Sequence, residues 1–286
     1  MKLLTTPADA HAWSDGQRRH GHRIGFVPTM GALHEGHLAL VAEARRHTDV
    51  VVVSIFVNPL QFDVATDFDR YPRPIDDDLE ACRAAGVDAV YAPTAAAMYP
   101  AGFQTHVEPG ALAARLEGEH RPGHFRGVTT VVTKLFAAVR PDVAVFGQKD
   151  AQQLAIVRRM TLDLDLGIEI VGLPTVREPD GVALSSRNRR LSPDQRSAAV
   201  CIVHGLRAAQ ALAARGERSG AALADAVRVS IDAEPLARLE HVEVVSPTTL
   251  EPLDRVDGDA LVLTAAWFGE VRLIDNVLIS ASATSH

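Results

Sequence analysis

The sequence predicts an α/β chain, a Rossmann-like doubly wound parallel sheet followed by a smaller C-terminal α+β domain, and three observations predict it. Over the first two thirds, short β-branched runs alternate with segments whose apolar residues recur near every 3.6 positions, as βα units require. The run Val50 to Val53 shows no polar alternation, which suits a strand covered on both faces. After about Leu173 the texture changes, and Pro174, Pro179, Gly181 and Pro193 punctuate a loop-rich passage.

Taken in order, Ile24 to Val27, Val50 to Phe56, Ala89 to Tyr91, Val143 to Phe146 and Ile168 to Leu173 read as strands. Between them Leu38 to His47, Ile75 to Ala85, Val128 to Val139 and Ala151 to Leu162 read as helices. Beyond the loop-rich passage, Asp194 to Arg215 and Ala221 to Ala233 read as helices. Leu239 to Val245, Ala260 to Trp267 and Val271 to Ile279 read as strands, the last two joined at Phe268, Gly269 and Glu270 in a hairpin. A boundary near Val176 gives domains 1–176 and 177–286. In an open sheet of this kind a ligand sits at the carboxyl ends of the strands.

At 286 residues, with 47% hydrophobic and 23% charged positions, the chain has the composition of a folded protein of one large or two ordinary domains. Acidic residues outnumber basic ones 36 to 29, a net charge of −7, and no basic footprint for nucleic acid is expected. Cys82 and Cys201 have no knuckle or redox spacing and read as reduced thiols. The opening Met1 to Gly16 holds two consecutive leucines and then turns polar, so no signal peptide is expected. No segment reads as the roughly 20 apolar residues a membrane span needs, and a cytoplasmic protein is expected. Lysine occurs only at Lys2, Lys134 and Lys149, which draws attention to the one inside a motif.

Three segments carry chemistry. Gly25 to His37 runs from a strand through a glycine turn into a helix start, where His34 and His37 share one face beside unpaired backbone N–H groups. Such a terminus attracts phosphate, imidazoles there can donate to its oxygens, and Gly36 allows close approach. A zinc pair or two surface histidines among the 12 remain alternatives, although the metalloprotease spacing is one residue longer. At Val145 to Asp150, Gly147 permits a tight turn and Lys149 can reach a phosphate, the alternative being a helix capped by Asp150 with a solvated lysine. At Leu184 to Asn188, Ser185, Ser186 and Arg187 offer hydroxyls and a guanidinium for phosphate oxygens, or form an ordinary polar linker. Together they suit a nucleoside triphosphate attacked at its α-phosphate by an anionic acceptor.

Pro28 to Val41, Ser54 to Phe62, Arg121 to Val128, Phe146 to Leu154 and Leu184 to Ser192 are collinear with, and resemble, the pantothenate synthetase (pantoate-β-alanine ligase) family, from about Leu3 to Leu278. That family lies in the nucleotidylyltransferase superfamily, and the resemblance makes His34 to His37 its HIGH-like and Ser185 to Arg187 its KMSKS-like motif. It implies condensation of (R)-pantoate with β-alanine through a pantoyl-adenylate, ATP becoming AMP and pyrophosphate. On this resemblance the first domain binds ATP and pantoate, and the second carries the KMSKS-like loop.

Residue by residue, the resemblance implies that His37 is the proton donor and His34 its partner, with Lys149, Ser185, Ser186 and Arg187 on phosphate. Met30, Gly31, Ala32, Leu33, Glu35, Gly36, Gly147, Gln148, Asp150, Val176 and Leu184 complete the nucleotide site. Gln61 and Gln153 become pantoate contacts, Gln61 also near β-alanine, with Asn58 and Arg121 lining the cleft. Mg²⁺ accompanies ATP, with Asp77 of the run Asp76-Asp77-Asp78 as its ligand. Phe62 to Pro74 is a candidate lid, and a homodimer is implied. Gln148 stands where the family commonly has Glu, and Ala151 where an aromatic residue is frequent. A nucleotidylyltransferase that stops at nucleotide transfer, or an inactive nucleotide sensor, are the rival readings.

Overall fold

A computed structural model describes residues 1–62 and 65–280, and the side chains of 65–67 are outside the description. Within the expected lid, residues 63–64 therefore lie outside the described residues. Two compact units make up the chain, residues 1–147 with 152–173 and residues 148–151 with 174–286.

The first unit runs β1 (Lys2–Leu4), α1 (Pro7–Arg19), β2 (Ile24–Thr29), α2 (Glu35–His47), β3 (Val50–Ile55), α3 (Ala65–Arg70), α4 (Ile75–Ala84), β4 (Ala89–Tyr91), α5 (Ala95–Met98), α6 (Glu117–His120), α7 (His124–Val139), β5 (Val143–Gly147), α8 (Ala151–Asp163) and β6 (Glu169–Leu173). Its six strands are parallel in the order β1-β4-β3-β2-β5-β6. The order reverses between β2 and β5, and an open α/β sheet binds its ligand at the carboxyl ends beside that point. The segments leaving β2 and β5 are two of the three that the sequence singles out.

Alternation on the strands explains why the sheet is buried on both sides. Ile24, Phe26, Val50, Val52, Ala144 and Phe146 pack into one core with Trp13 of α1 and Phe125, Leu135 and Phe136 of α7. Val27, Val51, Val53, Val143 and Val145 pack into the other with Leu40 and Val41 of α2 and Leu79 of α4. Each fully buried valine or leucine contributes about 1.5–3 kcal/mol of transfer free energy, so a polar residue on either face would be expensive.

The second unit contains α9 (Pro193–Ala198), α10 (Val200–Ala214), α11 (Gly220–Asp232), and the strands β7 (Ala237–Val245), β8 (Ala260–Phe268) and β9 (Val271–Ile279). They form an antiparallel sheet β7-β8-β9. Ile202, Leu206, Leu223, Val227 and Ile231 of the helices close over Val242, Val244, Val262 and Leu273. The single helix expected over Asp194 to Arg215 is two, turning at Ala199. The stretch Pro193–Ala214 is long and apolar enough to cross a bilayer by length and composition, contrary to expectation. Ala198, Ile202, Leu206, Ala209 and Ala213 from it are buried in this unit's core, as in an ordinary core helix.

Both cysteines are buried and unpaired. Burial pushes the thiol of Cys82 up to about 11, helped by the Asp78 carboxylate, and that of Cys201 up to about 12, helped by Glu234. The thiolate is the reactive form. Ellman titration of the native protein at neutral pH is therefore expected to find no fast thiol, and both thiols after denaturation.

Candidate active site

The turn from β2 into α2 is held from two sides. Thr29 donates through Oγ1 to the Ser54 carbonyl at 2.7 Å and accepts the Gly31 N–H at 3.1 Å. Gly31 and Ala32 then take φ of +83° and +51°, left-handed values that cost a non-glycine residue of order 1–3 kcal/mol. Asp78, the fourth residue of α4 and only 3% exposed, offsets this by accepting the next two amides. Ala32 N–H donates to Oδ2 at 2.8 Å and Leu33 N–H to Oδ1 at 2.7 Å. A β-carbon on Gly31 would lie 2.7 Å from Asp78 Oδ2, so glycine is needed for space as well as for φ.

His34 follows as the N-cap of α2, which begins at Glu35 and not at the expected Leu38. An imidazole here replaces the usual serine or aspartate, so the cap is invisible to composition rules. His34 Nδ1 accepts the Gly36 N–H at 3.1 Å, and His37 Nδ1 accepts the His34 N–H at 3.3 Å. The two rings lie 4.1 Å apart, centre to centre. A neutral imidazole that accepts at Nδ1 carries its proton at Nε2. Both rings therefore carry an Nε2–H donor, the form a developing phosphate charge requires.

A second cluster stands after β3. Asn58, 1% exposed, accepts the Tyr99 hydroxyl at 2.7 Å and donates through Nδ2 to Gln61 Oε1 at 2.9 Å and the Gly127 carbonyl at 3.1 Å. Gln61 in turn donates through Nε2 to Met30 Sδ at 3.3 Å, so three expected site residues meet. Gly127 has to be glycine, since a β-carbon there would collide with the Leu60 carbonyl. Arg121 donates to the Gln61 carbonyl at 3.2 Å and to His124 Nε2 at 3.2 Å. A guanidinium only donates, which fixes the His124 proton on Nδ1, where it donates to the same carbonyl at 2.8 Å. Gln61, Phe62, His106, His124 and Arg126 line a cavity of about 180 Å³ beside this turn.

Gln153 is half-buried on α8, whereas its neighbour Gln152 is buried and bridges Glu117 N–H with the Leu112 and Arg115 carbonyls. Asp77 is exposed in the first turn of α4. The role of Asp78 escaped the sequence, which grouped it with two exposed neighbours. The cue was its helical spacing: Asp78, Leu79 and Cys82 form the buried face of α4.

Gly147 ends β5 in the first unit, and the remaining expected residues belong to the second. Gln148–Asp150 form a 3-10 turn after β5, and Asn276 of β9 donates through Nδ2 to the carbonyls of Gln148 at 2.9 Å and Lys149 at 3.0 Å. The Lys149 side chain is half-buried, with its ammonium 3.9 Å from Asp150 Oδ1. Beside Asn276, Asp275 is 4% exposed and receives a two-armed ion pair from Arg177 at 2.6 and 3.0 Å. Burial pushes the Asp275 carboxyl up against the opposing pull of Arg177, the Asn276 N–H and Lys149. Leu184 N–H returns to the Val176 carbonyl at 2.9 Å and delivers Ser185, which caps the 3-10 turn Ser186–Arg190 by accepting the Arg187 N–H at 3.3 Å. Asn188 pins that turn to Glu178 at 2.8 Å and the Ala183 carbonyl at 3.0 Å. Lys149, Ser185, Asn188 and Asp275 line one narrow cleft.

Comparison with known proteins identifies the family. The model of the pantoate-beta-alanine ligase family matches residues 2–278. The pantothenate synthetase of Heliobacterium modesticaldum is 51% identical over 98% of this chain and 99% of its own length. The crystal structure of pantothenate synthetase from Thermus thermophilus superposes with a TM-score of 0.92 at 46% identity, covering 98% of this chain and 100% of that one. That of the pantoate-beta-alanine ligase from Francisella tularensis, complexed with beta-gamma ATP and beta-alanine, gives a TM-score of 0.79 at 33% identity, covering 97% of each chain. With the fold and nearly the whole length in agreement, the chain belongs to the pantoate-β-alanine ligase family.

Proposed function

We propose that this chain condenses (R)-pantoate with β-alanine in two steps on one ATP molecule, by way of a pantoyl-adenylate. The observation that carries the reading is the pair of Nδ1-accepting imidazoles at the start of α2, each with its proton on Nε2. In the first step the pantoate carboxylate attacks the α-phosphorus, the P–O bond to the β-phosphate breaks and pyrophosphate leaves. Negative charge grows on the α-phosphate oxygens, and fixed N–H donors stabilise that charge more than the ground state. His37 supplies the donor in this reading, and His34 stands beside it. Lys149, Ser185, Ser186 and Arg187 hold the departing phosphates. Met30, Gly31 to Leu33, Glu35, Gly36, Gly147, Gln148, Asp150, Val176 and Leu184 frame the nucleotide.

Adenylation replaces an oxide leaving group by AMP, so the uncharged amine of β-alanine can displace it and form the amide. Gln61 and Gln153 hold the hydroxyl end of pantoate with neutral amides, and Asn58 and Arg121 keep the Gln61 turn in place. Water has to be excluded while the mixed anhydride waits for the amine.

Mg²⁺ belongs to this reading as the partner of the triphosphate: Asp77 would hold it, and it would lower the charge on the phosphate oxygens. The exposed carboxylate of Asp77 supports this choice over Asp78, whose oxygens are occupied by two amides. A homodimer and a cytoplasmic location complete the reading, the second supported by two buried, unpaired thiols suited to a reducing compartment.

Purified protein given ATP, Mg²⁺ and pantoate is expected to release AMP and pantothenate in a β-alanine-dependent manner. Nucleotide transfer without amide formation would point to a nucleotidylyltransferase, ATP binding without turnover to a sensor, and either outcome overturns the ligase reading.

A further inference from the structure

Lys149 follows β5 in the chain, yet its segment packs with the second unit, and one side chain ties it there. Asn276 places both hydrogens of one amide on consecutive carbonyls, those of Gln148 and Lys149. Asn276 is 7% exposed and its backbone N–H donates to Asp275 Oδ1 at 2.8 Å. Asp275 is gripped by Arg177, whose guanidinium also donates to the Asn276 carbonyl at 3.3 Å and the Gly181 carbonyl at 3.0 Å. Gly181 sits in the reversal between Val176 and Leu184 that delivers Ser185. One hydrogen-bonded frame thus runs from the Lys149 backbone through β9 to the base of the Ser185–Arg187 loop.

We propose that Asn276, braced by the Arg177–Asp275 pair, is the positioning residue for Lys149, fixing its backbone and through it the ammonium's place on the phosphates. The inference rests on the reading of Lys149 as a phosphate contact. Asn276 touches no reacting atom in it. A lysine carries a point charge on a flexible stem, so its usefulness depends on how firmly the stem's origin is held.

The test is a double-mutant cycle on the full-length enzyme, measuring pantoate-dependent exchange of pyrophosphate into ATP, with folding checked by circular dichroism. Asn276→Leu keeps the size and removes both donors. It is expected to lower kcat on the order of tenfold. Lys149→Ala is expected to lose more, on the order of a hundredfold. The double variant is expected to match Lys149→Ala within about twofold, because Asn276 has nothing to position once the ammonium is gone.

Multiplied losses in the double variant, or an Asn276→Leu enzyme with wild-type exchange, overturn the proposal. If Asn276→Leu does not fold, Asn276→Asp, which faces both carbonyls with an acceptor, enters the same cycle with the same expectation. If neither folds, Asn276 is a determinant of the fold and the proposal fails. A Lys149→Ala enzyme of normal activity defeats the underlying reading of Lys149 instead. An impaired Lys149→Ala beside an unimpaired Asn276→Leu defeats only the present inference.

Discussion

Alanine in place of His37 is expected to lower the rate of adenylate formation by on the order of a hundredfold while leaving the protein folded. The structural part of the loss is small. His37 is half-buried, and water can replace it as the acceptor of the His34 N–H. His34 continues to cap Gly36. The catalytic part is large, because the ring's Nε2–H is aimed in this reading at charge that exists only once the carboxylate has begun to attack. A donor used in the transition state alone lowers kcat and kcat/KM together and moves KM little. Pantoate-dependent pyrophosphate exchange measures the first step in isolation, and circular dichroism checks the fold. A near-normal exchange rate in the variant removes His37 from the chemistry.

The sheet was legible because its strands are short apolar runs covered on both faces, and Val50 to Val53 needs no tertiary information to be recognised. β9 and the hairpin before it were legible for a related reason, Gly269 at φ +60° lying between two alternating runs. β1 escaped because three residues carry no period. α1 escaped because its buried face is Ala10, Trp13 and Ser14, too small and polar to register as an apolar stripe. Its signal was local, a Thr6–Asp9 capping box with Pro7 at the first helical position.

At the site, side chains close to one another in sequence were readable and supports from afar were not. The pairing of His34 with His37 follows from helical spacing. The carbonyls of Gln148 and Lys149 are held by Asn276, in a strand read only for its alternation. The Gln61 turn depends likewise on Asn58, Gly127 and Tyr99, residues brought together by three different elements. Hydrogen bonds of this kind have no period, so no pattern in one sequence announces them.

Asp78→Ala is expected to lose stability and adenylation together, and the arithmetic separates it from the residue next door. Removing the carboxylate strips the acceptors from two backbone N–H groups, each costing about 1–3 kcal/mol when left unpaired. That is a large part of the roughly 5–15 kcal/mol that holds a domain folded. Ala32 keeps a left-handed φ that nothing then enforces, so the turn relaxes and the cap at His34 moves with it. A displacement of about 1 Å at a reacting group is enough for a hundredfold loss. Asp78→Asn should fall between, since its amide offers one oxygen to two donors. Asp77→Asn, at an exposed position, should leave stability within about 0.5 kcal/mol of the parent and, if the carboxylate meets Mg²⁺, raise the Mg²⁺ concentration needed for half-maximal rate. Thermal melts and Mg²⁺ titrations of the variants decide the matter. A stable, fully active Asp78→Ala would mean that the turn holds itself, and that the left-handed Ala32 is enforced by Thr29 and the cap alone.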